Sequence, residues 1–258
     1  MRALVITGAG VSAESGIPTF RGKNGYWRNF DPAKLATPEA FAREPKLVWE
    51  WYRERRRRIR NAQPNAAHEA IAKLAQFSDD VLLVTQNVDD LHARAGTRAD
   101  RMVQIHGDIF VTRCSHCGVE QCDYPPSLDA ASYGAASEQK HDYEHGYECE
   151  VEDMVPRCAK CEALMRPGVV WFGEQLPWKE LQRVETYLDR GNCEVVIVAG
   201  TTAAFGYIVD WALRGSHDGE LIEVNPEETP LSRFATRLVR APAATALPGL
   251  VDQLIQTL

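Results

Sequence analysis

The sequence lacks several features that would direct it to a membrane or to nucleic acid. No apolar run approaches membrane-spanning length, and the longest, Val195–Ala199, has the length of a buried strand. Positive charge is not in excess, since 29 Lys and Arg face 36 Asp and Glu for a net charge of −7. Met1–Thr7 runs into a glycine loop without the apolar length or cleavage site of a secretory signal. We therefore expect a cytoplasmic protein that uses no membrane and no specific nucleic acid.

A disulfide framework is also not expected, because the cysteines number seven and no secretory signal precedes them. Two CxxC pairs, residues 114–117 and 158–161, are separated by 40 residues, although zinc knuckles usually lie about 15–20 residues apart. Four thiolates fill a tetrahedral zinc site, so the metal is expected to be structural. The long excursion between the pairs holds other possible ligands, which are Cys122, His141, His145 and Cys149. We assign the ligands as the two intact pairs, Cys114, Cys117, Cys158 and Cys161.

Short apolar runs that alternate with amphipathic segments predict an α/β fold with a parallel sheet covered on both faces. The predicted strands are Ala3–Thr7, Val81–Thr85, Met102–Ile105, Val169–Phe172, Val195–Ala199, Leu221–Val224 and Arg237–Val239. The predicted helices are Asp31–Arg60, Asn65–Phe77, Glu180–Leu188, Tyr207–Arg214 and Leu247–Leu258. We expect a discontinuous Rossmann-like domain over residues 1–30, 61–112 and 166–258, with a helical module at 31–60 and a zinc-binding module at 113–165.

The first predicted strand leads into a glycine loop. Residues 8–13, with Gly8 and Gly10, fit the dinucleotide pattern GxGxxG/A, which brings backbone N–H groups close to a pyrophosphate. The alternative is a tight strand–helix turn in which glycine serves geometry only. A standard dehydrogenase has a second strand that ends in an acid about 20 residues later. Here that stretch is a loop with one cation, Arg21, and Asp31 has no strand before it.

Five motifs, in order, carry a resemblance to a known family. Residues 8–22, GAGVSAESGIPTFRG, resemble the cofactor loop of the sirtuins, and residues 85–92, TQNVDDLH, resemble a second sirtuin motif. His106-Gly107, the two CxxC pairs and the FGE of residues 172–174 match three more. The sequence is therefore similar to sirtuins, which consume NAD as a co-substrate on a Rossmann-like domain with a structural zinc.

The resemblance implies a set of NAD-binding and catalytic residues. The expected NAD-binding residues are Gly8, Ala9, Gly10, Ser12, Ala13, Thr19, Phe20, Arg21, Trp27, Gln86, Asn87, Asp89, Gly200, Thr201, Thr202, Asn225, Glu227 and Ala244. Asn87 and Asp89 would orient the nicotinamide ribose and help to expel nicotinamide, although an Asx-rich turn alone would explain them. His106 would be the base that deprotonates a ribose hydroxyl after the acyl oxygen has attacked the anomeric carbon; a lone histidine at a strand end is otherwise most often structural.

The segment from Gly168 to Glu174 would bind the acyl-lysine peptide as an added strand, although an ordinary sheet strand fits its composition equally well. The expected substrate-binding residues are Tyr52, Arg55, Val170, Phe172, Gly173 and Glu174. Residues 203–207, AAFGY, depart from the Val-x-Pro-Ala stretch that usually follows the family's GTS. Because this segment would form the other wall of the groove, no peptide preference follows from the resemblance.

Tyr52 and Arg55 are spaced i, i+3, so their head groups can converge on one helical face. A phenol and a guanidinium together suit a carboxylate, and the pair resembles the Tyr-x-x-Arg of sirtuins that remove succinyl, malonyl and glutaryl groups. Six arginines fall within residues 53–60, so the spacing also fits a solvated charge run, and Arg56 competes for the same role.

The sequence thus predicts an NAD-dependent protein lysine deacylase that prefers acidic acyl groups, acts on acylated proteins or peptides, and is a monomer. Its products would be nicotinamide, free lysine and O-acyl-ADP-ribose. The competing functions are a protein mono-ADP-ribosyltransferase, an NAD hydrolase or sensor, and a module that only binds NAD.

Overall fold

The computed structural model describes residues 1–19, 32–122 and 155–256. Several residues singled out above lie outside these ranges: Phe20, Arg21, Trp27, Asp31, His141, His145 and Cys149. The strands are β1 Arg2–Thr7, β2 Asp80–Thr85, β3 Met102–Gln104, β4 Gly107–Cys114, β5 Glu120–Cys122, β6 Met165–Val169, β7 Val195–Ala199, β8 Glu220–Val224 and β9 Arg237–Val239. The helices are α1 Gly10–Ala13, α2 Pro32–Leu35, α3 Pro38–Arg43, α4 Pro45–Asn61, α5 Ala66–Phe77, α6 Leu91–Arg94, α7 Trp178–Asp189, α8 Gly206–Gly215 and α9 Ala243–Gln256.

A six-stranded parallel sheet, in the order β3-β2-β1-β7-β8-β9, forms the larger part of the molecule. One face is covered by α5 and α9, which bring Ile71, Leu74 and Leu250 into one buried cluster. The opposite face is covered by α7 and α8, which bring Val184 and Trp211 into a second cluster. The predicted α/β fold with a Rossmann-like sheet is therefore confirmed. Its apolar strands are covered by helices on both faces, as buried parallel strands require.

A separate antiparallel sheet, in the order β5-β4-β6, carries the cysteine pairs. The strand predicted over Val169–Phe172 is wrong in its bounds: β6 is Met165–Val169 and belongs to this smaller sheet. The apolar run beyond Val169 leaves the sheet and crosses toward α2, where Phe172 N donates to Ala36 O at 2.9 Å. Periodicity alone cannot distinguish these two placements, because both bury apolar side chains.

The long helix predicted over Asp31–Arg60 is three helices among the described residues, α2, α3 and α4. Thr37 caps α3 by accepting the N–H of Ala40 at 3.1 Å, and prolines begin α3 and α4. Proline has no N–H to donate within a helix, so each proline favours a new first turn. The closing helix α9 begins at Ala243, earlier than the predicted Leu247. None of the helices in the described parts of the chain is long and apolar enough to cross a membrane.

Candidate active site

The loops after β1, β2 and β7 meet at the carboxyl edge of the larger sheet. The chain leaves β1 for β2 on one side, and β7 flanks β1 on the other, so a topological switch point lies at β1. Open α/β sheets bind ligands at this position. Gln86 N donates to Thr7 O at 2.9 Å, and its side-chain Nε2 donates to Thr201 Oγ1 at 2.9 Å. Gln86, which follows β2, therefore connects the end of β1 with the loop after β7.

Gly8 and Gly10 bring the first loop against the loop after β7. Gly8 N donates to Ala199 O at 3.0 Å, and Gly10 N donates to Gly200 O at 2.8 Å. A Cβ on Gly8 would lie 2.6 Å from Thr201 Cβ, and one on Gly10 would lie 2.8 Å from Gly200 Cα. Loop packing accounts for both glycines, and these two N–H groups are already used within the protein.

Ser12, Asn87 and Asp89 form a buried hydrogen-bonded cluster at this edge. Asn87 Nδ2 donates to Ser12 Oγ at 3.0 Å, and Ser12 Oγ donates to Asp89 Oδ2 at 2.9 Å. The N–H of Leu91 donates to the other carboxylate oxygen of Asp89 at 3.2 Å. Burial raises the pKa of Asp89 to about 6, against the lowering effect of these donors. The cluster thus holds a carboxyl group that titrates near neutral pH.

Two buried histidines lie behind this cluster, His68 from α5 and His92 from α6, with ring centroids 4.7 Å apart. His68 Nε2 lies 3.4 Å from Ser12 Oγ, and His92 Nε2 lies 3.2 Å from Thr7 Oγ1. Burial lowers the pKa of His68 to about 4 and that of His92 well below its usual value, so both rings are neutral. Sequence reasoning gave His68 no role; its position on the apolar face of α5 was the available signal.

His106 lies between the two sheets, after β3 and before β4. Its Nδ1 is 2.9 Å from Gln86 O, and its own carbonyl accepts the N–H of Val170 at 2.8 Å. Because a carbonyl only accepts, Nδ1 carries the hydrogen and Nε2 is the accepting nitrogen of the neutral ring. Burial lowers the pKa of His106. The geometry presents a neutral imidazole with a fixed tautomer.

Two aromatic residues of the 203–207 segment, which differs from the family pattern, contact the His106 ring. Tyr207 Oη lies 2.6 Å from His106 Nε2, and the Phe205 ring stands edge-on to the imidazole with centroids 5.6 Å apart. Phe205 and Tyr207 are stacked, 5.5 Å between centroids and 12° between planes. The sequence showed that this segment departs from the family pattern but gave neither residue a role.

The remaining residues predicted to bind NAD spread along the same edge. Asn225 Nδ2 donates to Thr201 O at 2.7 Å, and its Oδ1 accepts the N–H of Glu227 at 3.1 Å. Ala244 N, at the start of α9, donates to Glu14 Oε2 at 2.8 Å. Ala9 and Thr19 are half-buried, whereas Ala13, Thr202 and Glu227 are exposed.

Tyr52 and Arg55 lie side by side in α4, and both are buried. Tyr52 Oη accepts the indole N–H of Trp171 at 2.9 Å. The Arg55 guanidinium carbon lies 5.4 Å from the centroid of the Tyr52 ring and 4.7 Å from that of Trp51. Arg56 instead donates to Val111 O and Thr112 Oγ1, both at 3.0 Å. Arg56 therefore ties α4 to β4, which leaves Arg55 as the arginine beside Tyr52.

An ion pair shapes the segment expected to bind the peptide. Glu174 accepts a two-pronged contact from Arg166, with Nη2–Oε2 at 2.9 Å, and also accepts the N–H of Trp171 at 2.8 Å. The Arg166 guanidinium lies over the indole of Trp171, 3.4 Å from its centroid. Glu174 thus holds the turn, while Phe172 is 39% exposed and Gly173 adopts a φ of 86°. The sequence analysis assigned no role to Arg166 or Trp171, because matching Glu174 to a motif does not show which side chains it contacts.

The four predicted cysteine ligands converge at one end of the smaller sheet, with all four Sγ atoms within 4.8 Å of one another. Cys114 and Cys161 Sγ are 3.4 Å apart, and Cys117 and Cys158 Sγ are 3.6 Å apart. Zn–S bonds of about 2.3 Å place tetrahedral sulfurs about 3.8 Å apart. The N–H groups of His116 and Cys117 point at Cys114 Sγ, each at 3.4 Å, and lower its thiol pKa. The donor set fits one structural zinc ion.

Comparison with known proteins identifies the family of this chain. The model of the Sir2 family matches residues 8–205. An NAD-dependent protein deacylase of Aquifex aeolicus is 41% identical over 98% of this chain and 95% of its own length. NAD-dependent protein deacylase 1 of Archaeoglobus fulgidus is 42% identical over 96% of this chain and 91% of its own length.

Solved structures agree with this assignment. A Sir2 homologue in complex with NAD has a TM-score of 0.81 and 40% identity, covering 99% of this chain and 90% of its own. A Sir2 protein with a deacetylated p53 peptide and 3′-O-acetyl ADP-ribose has a TM-score of 0.76 and 26% identity, over 99% of this chain and 93% of its own. The predicted resemblance is confirmed: the chain belongs to the Sir2 family, the sirtuins.

Proposed function

We propose that this protein is an NAD-dependent protein lysine deacylase, which forms nicotinamide, free lysine and O-acyl-ADP-ribose. The observation that carries the proposal is the neutral His106 ring, whose tautomer is fixed by Gln86 O at 2.9 Å. Asn87 and Asp89 follow the same strand as Gln86. A base, an amide and a carboxyl group therefore meet at the edge where the fold binds nucleotides.

NAD is a co-substrate in this proposal. Asn87 and Asp89 orient the nicotinamide ribose, and Ser12 holds both side chains through its hydroxyl. The acyl oxygen attacks the anomeric carbon, and nicotinamide leaves with the electron pair of the broken bond. His106 then accepts the proton of a ribose hydroxyl, whose oxygen attacks the acyl carbon while an electron pair of the carbon–nitrogen bond moves to the lysine nitrogen. The nitrogen takes up a proton and leaves as free lysine when that bond breaks, and a water molecule supplies the oxygen that completes O-acyl-ADP-ribose. Thr201 and Asn225 line the adenosine side of the same edge.

The names of relatives support the same reaction. The 41–42% identical proteins of Aquifex aeolicus and Archaeoglobus fulgidus are named as NAD-dependent protein deacylases. A Sir2 homologue 39% identical to this chain was solved with 2′-O-acetyl ADP-ribose, the kind of product that acyl transfer to a ribose gives. An acylated peptide would lie beside residues 168–174, and zinc on the four cysteines would hold the smaller sheet in place.

The decisive experiment incubates the protein with NAD and an acyl-lysine peptide and identifies products by mass spectrometry. We expect nicotinamide, free lysine and O-acyl-ADP-ribose in equal amounts, and loss of O-acyl-ADP-ribose by at least about 100-fold in His106→Ala. Equal nicotinamide release without peptide would favour an NAD hydrolase. ADP-ribose on the peptide would favour a mono-ADP-ribosyltransferase.

We further propose that the enzyme prefers succinyl-, malonyl- or glutaryl-lysine. Arg55 is buried beside Tyr52, and its charge reaches the active site, where it opposes the burial that raises the pKa of Asp89. A guanidinium in such a place suits a carboxylate that enters with the acyl group, because charge-assisted hydrogen bonds are strong where water is scarce. Arg56, the competing candidate, is held by β4.

Matched succinyl and acetyl peptides test this preference. In the wild-type protein, kcat/KM should be higher for the succinyl peptide. Arg55→Met should lower the succinyl value by roughly 10–100-fold, as expected for a lost charged hydrogen bond, and change the acetyl value much less. Arg57→Met is the matched control, because Arg57 lies on the same helix but is exposed and paired with Glu54. Comparable wild-type kcat/KM for the two peptides would contradict the preference.

A further inference from the structure

The hydroxyl of Tyr207 occupies the atom on which the proposed chemistry depends. His106 Nδ1 faces the carbonyl of Gln86 and so bears the ring hydrogen. The one remaining basic site, Nε2, lies 2.6 Å from Tyr207 Oη. A nitrogen lone pair only accepts, so the tyrosine donates its O–H to Nε2. A substrate hydroxyl arriving at His106 meets a nitrogen that already has a donor.

Tyr207 is held in this position by its neighbours. It is the second residue of α8, and its ring stacks on Phe205 and lies 5.0 Å from the ring of Trp211. Trp211 is itself buried, and its indole N–H donates to Glu185 in α7 at 2.8 Å. The phenol therefore cannot leave Nε2 without disturbing two aromatic contacts.

Gln86 contacts both His106 and the loop that precedes Tyr207. The carbonyl of Gln86 accepts from His106, while its side chain donates to Thr201 in the loop that leads to Tyr207. Gln86 therefore fixes both partners of the short contact, one directly and the other through its loop. His106 and Tyr207 are each half-buried, so the contact lies at the wall of the site, where a ligand can reach it.

We propose that Tyr207 is a catalytic residue that relays the proton from the ribose hydroxyl to His106. A phenol hydroxyl both donates and accepts. The ribose O–H bond breaks and its proton binds Tyr207 Oη, while the original phenol proton moves to Nε2. The electron pair left on the ribose oxygen forms the bond to the acyl carbon, and the π electron pair of the acyl carbon–nitrogen bond moves to the lysine nitrogen. Tyr207 ends as it began, with one proton, and His106 ends as imidazolium.

The chemistry of the phenol agrees with a concerted transfer. Burial raises the pKa of Tyr207, so the side chain keeps its proton at all physiological pH values. A relay in which one proton arrives as the other departs never requires the phenolate. The proposal rests on the deacylase function proposed above, because it adds a step to that reaction.

Tyr207→Phe is the test, because it removes the hydroxyl and keeps the ring that stacks on Phe205. In single turnovers, O-acyl-ADP-ribose formation should slow by at least about 10-fold, while nicotinamide release stays within about 2-fold. In H2O/D2O mixtures, the wild-type rate should depend on deuterium content with upward curvature, because two protons move. The residual rate of Tyr207→Phe should depend on it linearly.

Two comparisons separate the relay from a structural effect. In a His106→Ala background, Tyr207→Phe should cause no further loss, since the two residues act as one unit. Tyr187→Phe is the matched control: its hydroxyl donates to Ala3 O at 2.8 Å, at the other end of the sheet, so it should lower Tm and leave the single-turnover rate unchanged.

An unchanged or faster rate in Tyr207→Phe would overturn the relay and show that the hydroxyl only covers Nε2. A linear deuterium dependence in the wild type would also overturn it. A wild-type protein that forms no O-acyl-ADP-ribose from any acyl peptide would instead overturn the proposed deacylase function.

Discussion

The hydroxyl of Ser12 donates to the carboxylate of Asp89 at 2.9 Å, which joins the loops that follow two neighbouring strands. The register of the sheet makes this contact possible. β1 and β2 run parallel with Thr7 opposite Thr85, so the segments that follow them leave the sheet side by side. Residues far apart in sequence thereby form one buried polar cluster at the carboxyl edge of the sheet.

Asp89 gives the first prediction, because burial raises its pKa from 3.8 to about 6. A raised carboxyl pKa in the folded state means that the stabilisation is fully present below about pH 4 and is lost as the pH rises through about 6. Asp89→Asn has no charge to bury, so its Tm relative to wild type should rise from pH 4.5 to pH 7.5. The gain is at most about 3 kcal/mol, and deacylation should be lost.

Thermal unfolding at several pH values measures this effect. Asp79→Asn is the control, because the Asp79 side chain is fully exposed and its substitution relieves no burial of charge. Its Tm relative to wild type should not rise over this pH range. A constant Tm difference between Asp89→Asn and wild type from pH 4.5 to 7.5 would contradict the burial argument.

Gly107 gives the second prediction, because it turns the chain between the larger and the smaller sheet. Its φ is +79°, and a Cβ there would collide with the carbonyl oxygen of Gly168. Gly118 has a similar φ of +72° but nothing within 4 Å of its Cβ position. Gly118→Ala should therefore cost only the strain of the left-handed backbone, about 1 kcal/mol.

Gly107→Ala should cost at least about 1 kcal/mol more and should also impair deacylation, because the turn carries His106. Chemical denaturation of the two variants compares these values. Equal losses of stability in both variants would show that the contact with Gly168 relaxes freely.

Much of the fold could be predicted from the sequence, because the signals are local. β1 and β7 are apolar runs whose burial on both faces requires helices, and each CxxC pair brings its own two thiols together by spacing. The bounds of α2, α3 and α4 were missed because helical periodicity continues through Thr37 and Pro45. A cap and a proline end one helix and begin the next without breaking the apolar pattern.

The sequence predicts a site residue when its side chain alone indicates its chemistry. It does not predict a residue whose role depends on which other side chains contact it in the folded protein. The motif containing Asn87 and Asp89 gave the positions of both, but the burial that raises the pKa of Asp89 depends on elements packed around it. Glu174 matched a motif as well, yet its carboxylate is taken by Arg166, eight residues earlier. Tyr207 belongs to a segment that fits no motif, so only the three-dimensional contact with His106 reveals it.

The cysteine cluster gives the third prediction. The purified protein should contain one zinc ion per chain, and Cys158→Ser should lose the metal and unfold at a much lower temperature. Zinc binding to such sites supplies folding free energy, so its loss destabilises the smaller sheet. Cys122→Ser is the matched control, because Cys122 is an exposed cysteine in β5 and lies outside the cluster. Equal zinc content in the two variants would contradict this assignment.

The ion pair of Arg166 and Glu174 gives the fourth prediction. Burial is the largest single influence and raises the pKa of Glu174, but the hydrogen bonds from Arg166 and Trp171 and the nearby arginine charges together lower it below its usual value. The carboxylate therefore stays charged and holds the N–H of Trp171. Glu174→Gln should cost about 2 kcal/mol of stability, since a charged hydrogen bond is lost beside a nearly buried guanidinium. It should also raise KM for the acyl peptide more than KM for NAD, because the turn that Glu174 holds includes Phe172.

Glu180→Gln is the control, because it removes a more exposed ion pair with Arg183 and should cost less than about 0.5 kcal/mol. Denaturation and initial-rate measurements on both variants test the prediction, which fails if the two substitutions are equally mild or if KM for NAD alone increases.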